Sequence, residues 1–153
     1  IVSRRELAYA ADPHPLRKPV FDHRAAEVLP GVPDLEAVGP VAMELLPGVD
    51  VIPLGGHTPG LLGLRIRGET DQLFLPGDLI PTRAHLRPRW VLSYDQDPSL
   101  VYEQRKRFVA RAMALNWIVH FCHDPLVPFG RLKPGGDVVP VNVTGWGKAV
   151  ADA

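Results

Sequence analysis

The sequence predicts a mixed domain of the α/β or α+β class, and three observations carry that prediction. Strand-like runs at Val49–Leu54, Leu61–Arg67 and Gln72–Leu75 follow one another with turns between them. A segment of helical apolar period opens at Asp97-Pro98 and continues to about Leu115. A further apolar run, Trp117-Ile118-Val119-His120-Phe121-Cys122, succeeds it. Strands alternating with helices and hairpins are the pattern of layered α/β and α+β domains.

Each element has a local cause. Ser3-Arg4-Arg5-Glu6 fits a capping box, with Ser3 at the N-cap and Glu6 reaching back to it, and starts a short helix to about Ala11. Pro13 and Pro15 stop it. Residues 24–30 allow one or two helical turns before Pro30-Gly31. Residues 30–48 read as a loop with short strand pieces, anchored by Met43, Leu45 and Leu46. Leu62, Leu64 and Ile66 alternate with Gly63, Arg65 and Arg67, the period of a half-buried strand. Gly68-Glu69-Thr70-Asp71 then makes a hairpin turn. Residues 80–97 form a long, arginine-rich loop. Asp97 is a good N-cap and Pro98 suits the first helical position. Val101, Phe108, Val109, Ala112 and Leu115 share one stripe of that helix, and Glu103 can pair with Lys106 or Arg107 on the wet side. Asn116 ends it. Leu126–Leu132 and Val138–Val143 are the last strand candidates, joined through Gly135-Gly136-Asp137.

Composition narrows the function. With 153 residues, the chain suggests one domain under a prior of about 150 residues each. Its 17 basic and 17 acidic side chains cancel, which leaves no charge footprint for nucleic acid or anionic lipid. No apolar run approaches the roughly 18 residues of a membrane span. The single cysteine, Cys122, excludes an internal disulfide and fits a reducing, cytoplasmic setting. The chain opens on Ile1-Val2, which reads as the second half of a strand. The expectation is therefore a single partial domain over residues 1–153, part of a longer protein.

Three polar groups fall just beyond the ends of apolar strands. His57 follows Val51–Leu54 on the turn Gly55-Gly56-His57-Thr58-Pro59-Gly60. Asp78 follows Leu73-Phe74-Leu75-Pro76-Gly77, and His123 follows Trp117–Cys122. Each has a plain reading: a surface-turn histidine, a turn aspartate bonding its own backbone, a histidine closing a turn. Two imidazoles and one carboxylate are also a ligand set for zinc, iron or manganese.

Gly56-His57-Thr58-Pro59-Gly60, then Leu73-Phe74-Leu75-Pro76-Gly77-Asp78, then a helix, a strand and His123-Asp124, together resemble the latter part of the metallo-β-lactamase-fold hydrolase superfamily over roughly residues 1–133. The resemblance implies an αββα sandwich, here an incomplete C-terminal part, with a two-metal site at one edge of the paired sheets. It implies that His57 completes the ligands of the first metal, that Asp78 bridges both metals, and that His123 is the last histidine, on the second metal. The implied cofactors are two divalent metal ions, zinc first, then iron or manganese. The implied chemistry is hydrolysis of a small ester, lactone or thioester by a hydroxide held between the metals. The family's HxHxDH motif does not occur in this sequence. Each metal is then left with one histidine and the shared Asp78, below the usual three protein ligands of a catalytic zinc site. The missing part would also leave an apolar sheet face uncovered, to be closed by an N-terminal half or a second copy.

Other residues are weaker candidates. His85, between Arg83 and Arg87, falls in a region that in the family borders the substrate pocket. His14 and His23 lie in or beside a proline-rich segment and read as solvent-exposed. His120 reads as a buried structural histidine, and Cys122, on the same side of a regular strand, as a quiet buried thiol. Trp90 and Tyr94 either cover the pocket or anchor the loop. Asn142-Val143-Thr144 matches a glycosylation acceptor by chance. Two functional alternatives stand beside the hydrolase: a non-catalytic truncated module that pairs with another chain, and a di-iron redox member of the superfamily.

Overall fold

The computed structural model describes residues 1–20, 23–33 and 35–143. Thr144 of the glycosylation-like triplet lies outside them. The chain runs β1 (Val2–Ser3), α1 (Arg4–Ala11), α2 (His23–Val28), β2 (Ala37–Val38), β3 (Met43–Leu46), β4 (Val49–Pro53), β5 (Leu62–Arg67), β6 (Gln72–Leu75), α3 (Pro98–Ala114), β7 (Ile118–His120), β8 (Phe129–Leu132) and β9 (Val138–Pro140), with short 3-10 turns between several of them.

Strands β3 to β9 form one seven-stranded sheet in chain order. Every neighbouring pair is antiparallel except β6 and β7, which are parallel because α3 carries the chain back between them. β1 and β2 form a separate parallel pair. The alternation read from Leu62, Leu64 and Ile66 is the observed register: Leu64 sits between Val51 and Leu75, and Ile66 between Val49 and Leu73. The other face carries Phe74, opposite Arg65 on one side and Val119 on the other. There α3 lays down its buried stripe, and Phe74 stacks on Phe108 at 4.8 Å between ring centroids. Trp117 closes the same cluster at 5.5 Å from Phe74. On the first face Val51, Leu73 and Ile118 are buried, while Leu62, Leu64, Ile66 and Leu75 keep part of their surface exposed.

Several local expectations need correction. Ser3 does cap α1, accepting from Arg5 N at 3.1 Å. Glu6 does not close a capping box: its carboxylate accepts from Thr58 Oγ1 at 2.6 Å and from Gly60 N at 3.0 Å. A tertiary hydrogen bond to the His57 turn outcompetes the local one. Met43 and Leu46 anchor nothing, because β3 is an edge strand and both side chains are exposed. Leu115 ends α3 exposed rather than on the buried stripe, and Arg107 bonds Gln104 rather than Glu103. The long loop is held more firmly than its composition suggests, with Ile80 and Leu86 in the core. No helix among the described residues is long and apolar enough to cross a membrane.

The seating of α1 on the His57 turn leaves no room for a side chain at Gly60. A Cβ there would lie 2.3 Å from Glu6 N and 2.7 Å from Glu6 Cα. Backbone cannot swing aside as a flexible side chain can. Gly60→Ala is expected to push α1 off the turn, break both Glu6 hydrogen bonds and cost about 1–3 kcal/mol. The urea midpoint measures it, and an unchanged midpoint would mean that α1 does not rest there.

Candidate metal centre

The three strand-end groups meet. β4 runs out at Pro53, and Gly55 and Gly56 take positive φ of 66° and 90° to turn the chain sharply. Gly56 also packs so closely on α3 that a Cβ would lie 2.7 Å from Val101 Cγ2. Backbone bonds from Asp97 N to Gly56 O (2.9 Å) and Gln96 N to His57 O (3.2 Å) fix the turn to the start of that helix. His57 is thus held in a rigid frame, its side chain only 16% exposed.

The His57 ring is oriented from behind. Nδ1 lies 2.9 Å from Oδ1 of Asp95, whose side chain is fully buried. The other Asp95 oxygen accepts from Leu92 N at 2.7 Å. The edge of Tyr94 packs against the imidazole at 5.6 Å between centroids. A carboxylate behind Nδ1 selects the tautomer that leaves the Nε2 lone pair free, the usual arrangement behind a metal-binding histidine. That nitrogen points to Asp78, 3.7 Å from Oδ2.

Asp78 lies in the 3-10 turn Gly77–Leu79 directly after β6, where Gly77 takes φ of 55°. Its second oxygen, Oδ1, lies 2.9 Å from His123 Nε2. One carboxylate therefore turns a different oxygen to each histidine. His123 is the more open of the two, 66% exposed. Its turn is set by its own N–H, which donates to Pro81 O at 2.9 Å, and by Asp124. Asp124 accepts from Arg83 Nε at 2.8 Å and from the backbone N–H of Arg83, Leu126 and Val127. The Arg83 guanidinium, with those amides, holds the Asp124 carboxyl far below the usual carboxylate range.

Cys122 is corrected outright. It is exposed, and its Sγ lies 3.8 Å from Asp78 Oδ1. Regular β7 ends at His120, so the alternation that would have turned Cys122 inward no longer applies. His120 itself packs on Phe129 at 4.7 Å, and burial lowers its pKa, as expected of a structural histidine.

His85 is not drawn into the group. Its Nδ1 lies 2.8 Å from Thr82 Oγ1, and burial, then the nearby Arg105 charge, lowers its pKa. A cavity of about 620 Å³ opens along the same loop, walled by Thr82, Arg83, Leu86, Arg87, Trp90 and Asp124 among others, and His85 does not line it. In that wall the Arg87 guanidinium lies 4.7 Å over the Trp90 ring, which is half exposed.

Two residues that sequence reasoning missed hold this edge together. Asp95 is one. Arg105 is the other: it is fully buried on α3, its Nε donates to Leu79 O at 2.6 Å and its Nη1 donates to Trp90 O. It thereby ties the turn carrying Asp78 to the loop carrying Asp95. Its signal was present, since Val101, Arg105, Phe108 and Ala112 follow the helical core spacing, but a lone arginine in a charged helix reads as solvated.

The donor set fits a divalent cation. Imidazole nitrogens and a two-oxygen carboxylate are what zinc, iron and manganese take. Bonds of about 2.0–2.3 Å allow two donors of one ion to lie up to about 4.5 Å apart. The separations of 3.7 and 2.9 Å fall inside that limit.

No family model and no curated protein sequence matches the chain. Solved structures do. A probable metal-dependent hydrolase from Staphylococcus aureus superposes with a TM-score of 0.75 at 21% identity, over 92% of this chain and 51% of its own. The dizinc quorum-quenching lactonase AidC, solved with a product, gives a TM-score of 0.72 at 23% identity, over 92% and 54%. AbOPH, a hydrolase of the β-lactamase superfamily, gives 0.75 at 19% identity, over 92% and 54%. The chain therefore has the metallo-β-lactamase fold in part, a mixed α/β architecture spanning about half the length of the structures it matches.

Proposed function

We propose that this chain contributes His57, Asp78 and His123 to the metal centre of a hydrolase that acts on a small ester, lactone or thioester. One observation carries the reading: the Asp78 carboxylate faces His57 with one oxygen and His123 with the other. That is the disposition a carboxylate needs to serve two cations at once. The dizinc lactonase and the metal-dependent hydrolase that share the fold add weight to it.

When bound, the cations would polarise the scissile carbonyl and make water a nucleophile near neutral pH. The chain's own residues do the rest. Asp95 keeps His57 Nε2 aimed at the centre, and Arg105 holds the Asp78 turn and the Asp95 loop in fixed relation. Arg83 and Asp124 fix the turn that presents His123. The cavity walled by Leu86, Trp90 and Asp124, the residue next to His123, is the space offered to the acyl portion of a small substrate. His85, whose pKa burial lowers, sits in the same loop as Leu86 and Trp90 and is the further candidate for contact with substrate.

The test is hydrolysis of a panel of lactones, esters and thioesters by the complete protein, loaded with zinc, iron or manganese. His57→Ala is expected to lose at least about 100-fold in metal-dependent turnover, since even an outer partner of a metal ligand is worth 10–100-fold. Unchanged turnover with unchanged metal content in that variant would rule out the reading.

A further inference from the structure

We propose that Cys122 is a third donor beside Asp78 and His123, so that these residues form an oxygen–sulfur–nitrogen site for a thiophilic divalent cation. The inference rests on the reading of Asp78 and His123 as metal donors and extends it to a residue and a class of metal.

The geometry is specific. Cys122 Sγ, an Asp78 oxygen and a His123 ring nitrogen all lie within 4.8 Å of one another. Two of the separations are 2.9 Å, from His123 Nε2 to Asp78 Oδ1, and 3.8 Å, from Cys122 Sγ to that same oxygen. Bonds of about 2.0–2.2 Å to nitrogen and oxygen and about 2.3 Å to sulfur reach such donors from one point after a shift of a few tenths of an ångström. Cys122 and His123 are exposed, so such a shift disturbs no core packing. Adjacent residues do not usually aim at one point. Here they do because the chain leaves strand geometry after His120. Phe121 N bonds Pro128 O at 2.8 Å, His123 N bonds Pro81 O at 2.9 Å, and the segment between them turns both side chains toward Asp78.

The chemistry follows from the donors. Cys122 would bring the donors from this chain to three, the number of protein ligands that open zinc sites use with a position left for water or substrate. A thiolate is the soft member of that set. On binding, the Cys122 S–H bond breaks, its proton passes to the buffer, and a sulfur–metal bond forms. Sulfur favours zinc and other soft or borderline cations over manganese or magnesium. The site thereby selects zinc among the metals that the two oxygen and nitrogen donors would accept.

Cobalt(II) titration of the complete protein and of Cys122→Ser tests this, with circular dichroism confirming the fold of the variant. Cys122 is the only cysteine of the given sequence, and the comparison with Cys122→Ser assigns a near-ultraviolet sulfur-to-cobalt charge-transfer band to it whatever other thiols the complete protein carries. The expected result is that band together with visible d–d bands in the parent. In Cys122→Ser the d–d bands persist and the charge-transfer band is gone, and the zinc dissociation constant rises at least about tenfold. Visible bands without a charge-transfer band, with equal zinc affinity in the two proteins, would overturn the sulfur donor and leave Asp78 and His123 standing. No cobalt bands in either protein would overturn the sulfur donor and the metal reading together.

Discussion

Asp78→Ala is expected to abolish retention of divalent cation, with a larger loss than any other single substitution at this edge. The reason is its position. The Asp78 carboxylate is the common neighbour of His57 at 3.7 Å, His123 at 2.9 Å and Cys122 at 3.8 Å. Removing either histidine leaves the carboxylate with the other, whereas removing Asp78 leaves no negative oxygen and no group facing both sides. A weakening of at least about 100-fold is the floor, because losing a mere outer partner already costs 10–100-fold. Asp78→Asn keeps the shape and discards the charge, and should fall between parent and alanine. The side chain is 37% exposed and adds nothing to the core, so the variant should fold with stability within about 0.5 kcal/mol of the parent. Elemental analysis after dialysis, read beside the urea midpoint, separates lost ligation from lost fold. Equal metal content in parent and alanine variant would show that the carboxylate is no ligand.

Much of this edge was readable from sequence because it depends on short-range rules. Alternation in Leu62, Leu64 and Ile66 set the face of β5, and a hairpin turn at Gly68–Asp71 kept the register of β6. Strands whose ends are so placed bring their following turns to one edge, which is how His57, Asp78 and His123 could be named together. The rest depended on contacts that no local pattern encodes. Asp95 meets His57 across 38 residues of sequence, and before the fold is known it is one of several carboxylates near a helix start. Glu6 offered a correct capping pattern and spent it on Thr58 and Gly60, because a tertiary pair outcompeted the local bond. Cys122 was misplaced for a different reason. Side-chain alternation holds only while the strand lasts, and β7 stops at His120, two residues too early. Arg105 shows the converse case, a charge at a core-spaced position whose burial is made possible by two backbone carbonyls, Leu79 and Trp90, waiting in a loop with no signature of its own.

The scaffold that delivers Asp78 depends most on Phe74, and Phe74→Ala is expected to cost about 3–5 kcal/mol, the range for emptying a buried aromatic site. Phe74 has no exposed surface. Its ring stacks on Phe108 of α3 at 4.8 Å and 15°, and meets Trp117 at 5.5 Å. It therefore joins the sheet, the helix and the entry to β7 at one point. None of these neighbours can collapse into the space without moving an element, since Phe108 rides on a helix of 17 residues and Trp117 precedes a paired strand. A loss of that size is a large share of the roughly 5–15 kcal/mol that holds an ordinary domain together. The urea midpoint should fall with its slope unchanged, and the melting temperature should drop by roughly 6–20 °C. Phe74→Leu, which keeps most of the volume, should cost much less. β6 leads from Phe74 through Pro76 and Gly77 to Asp78, so the alanine variant should also hold cation less tightly while every donor remains in the chain. A loss below about 1 kcal/mol, with cation binding intact, would show that the turn bearing Asp78 is held by bonds such as that of Arg105 to Leu79 O, independent of the packing beneath it.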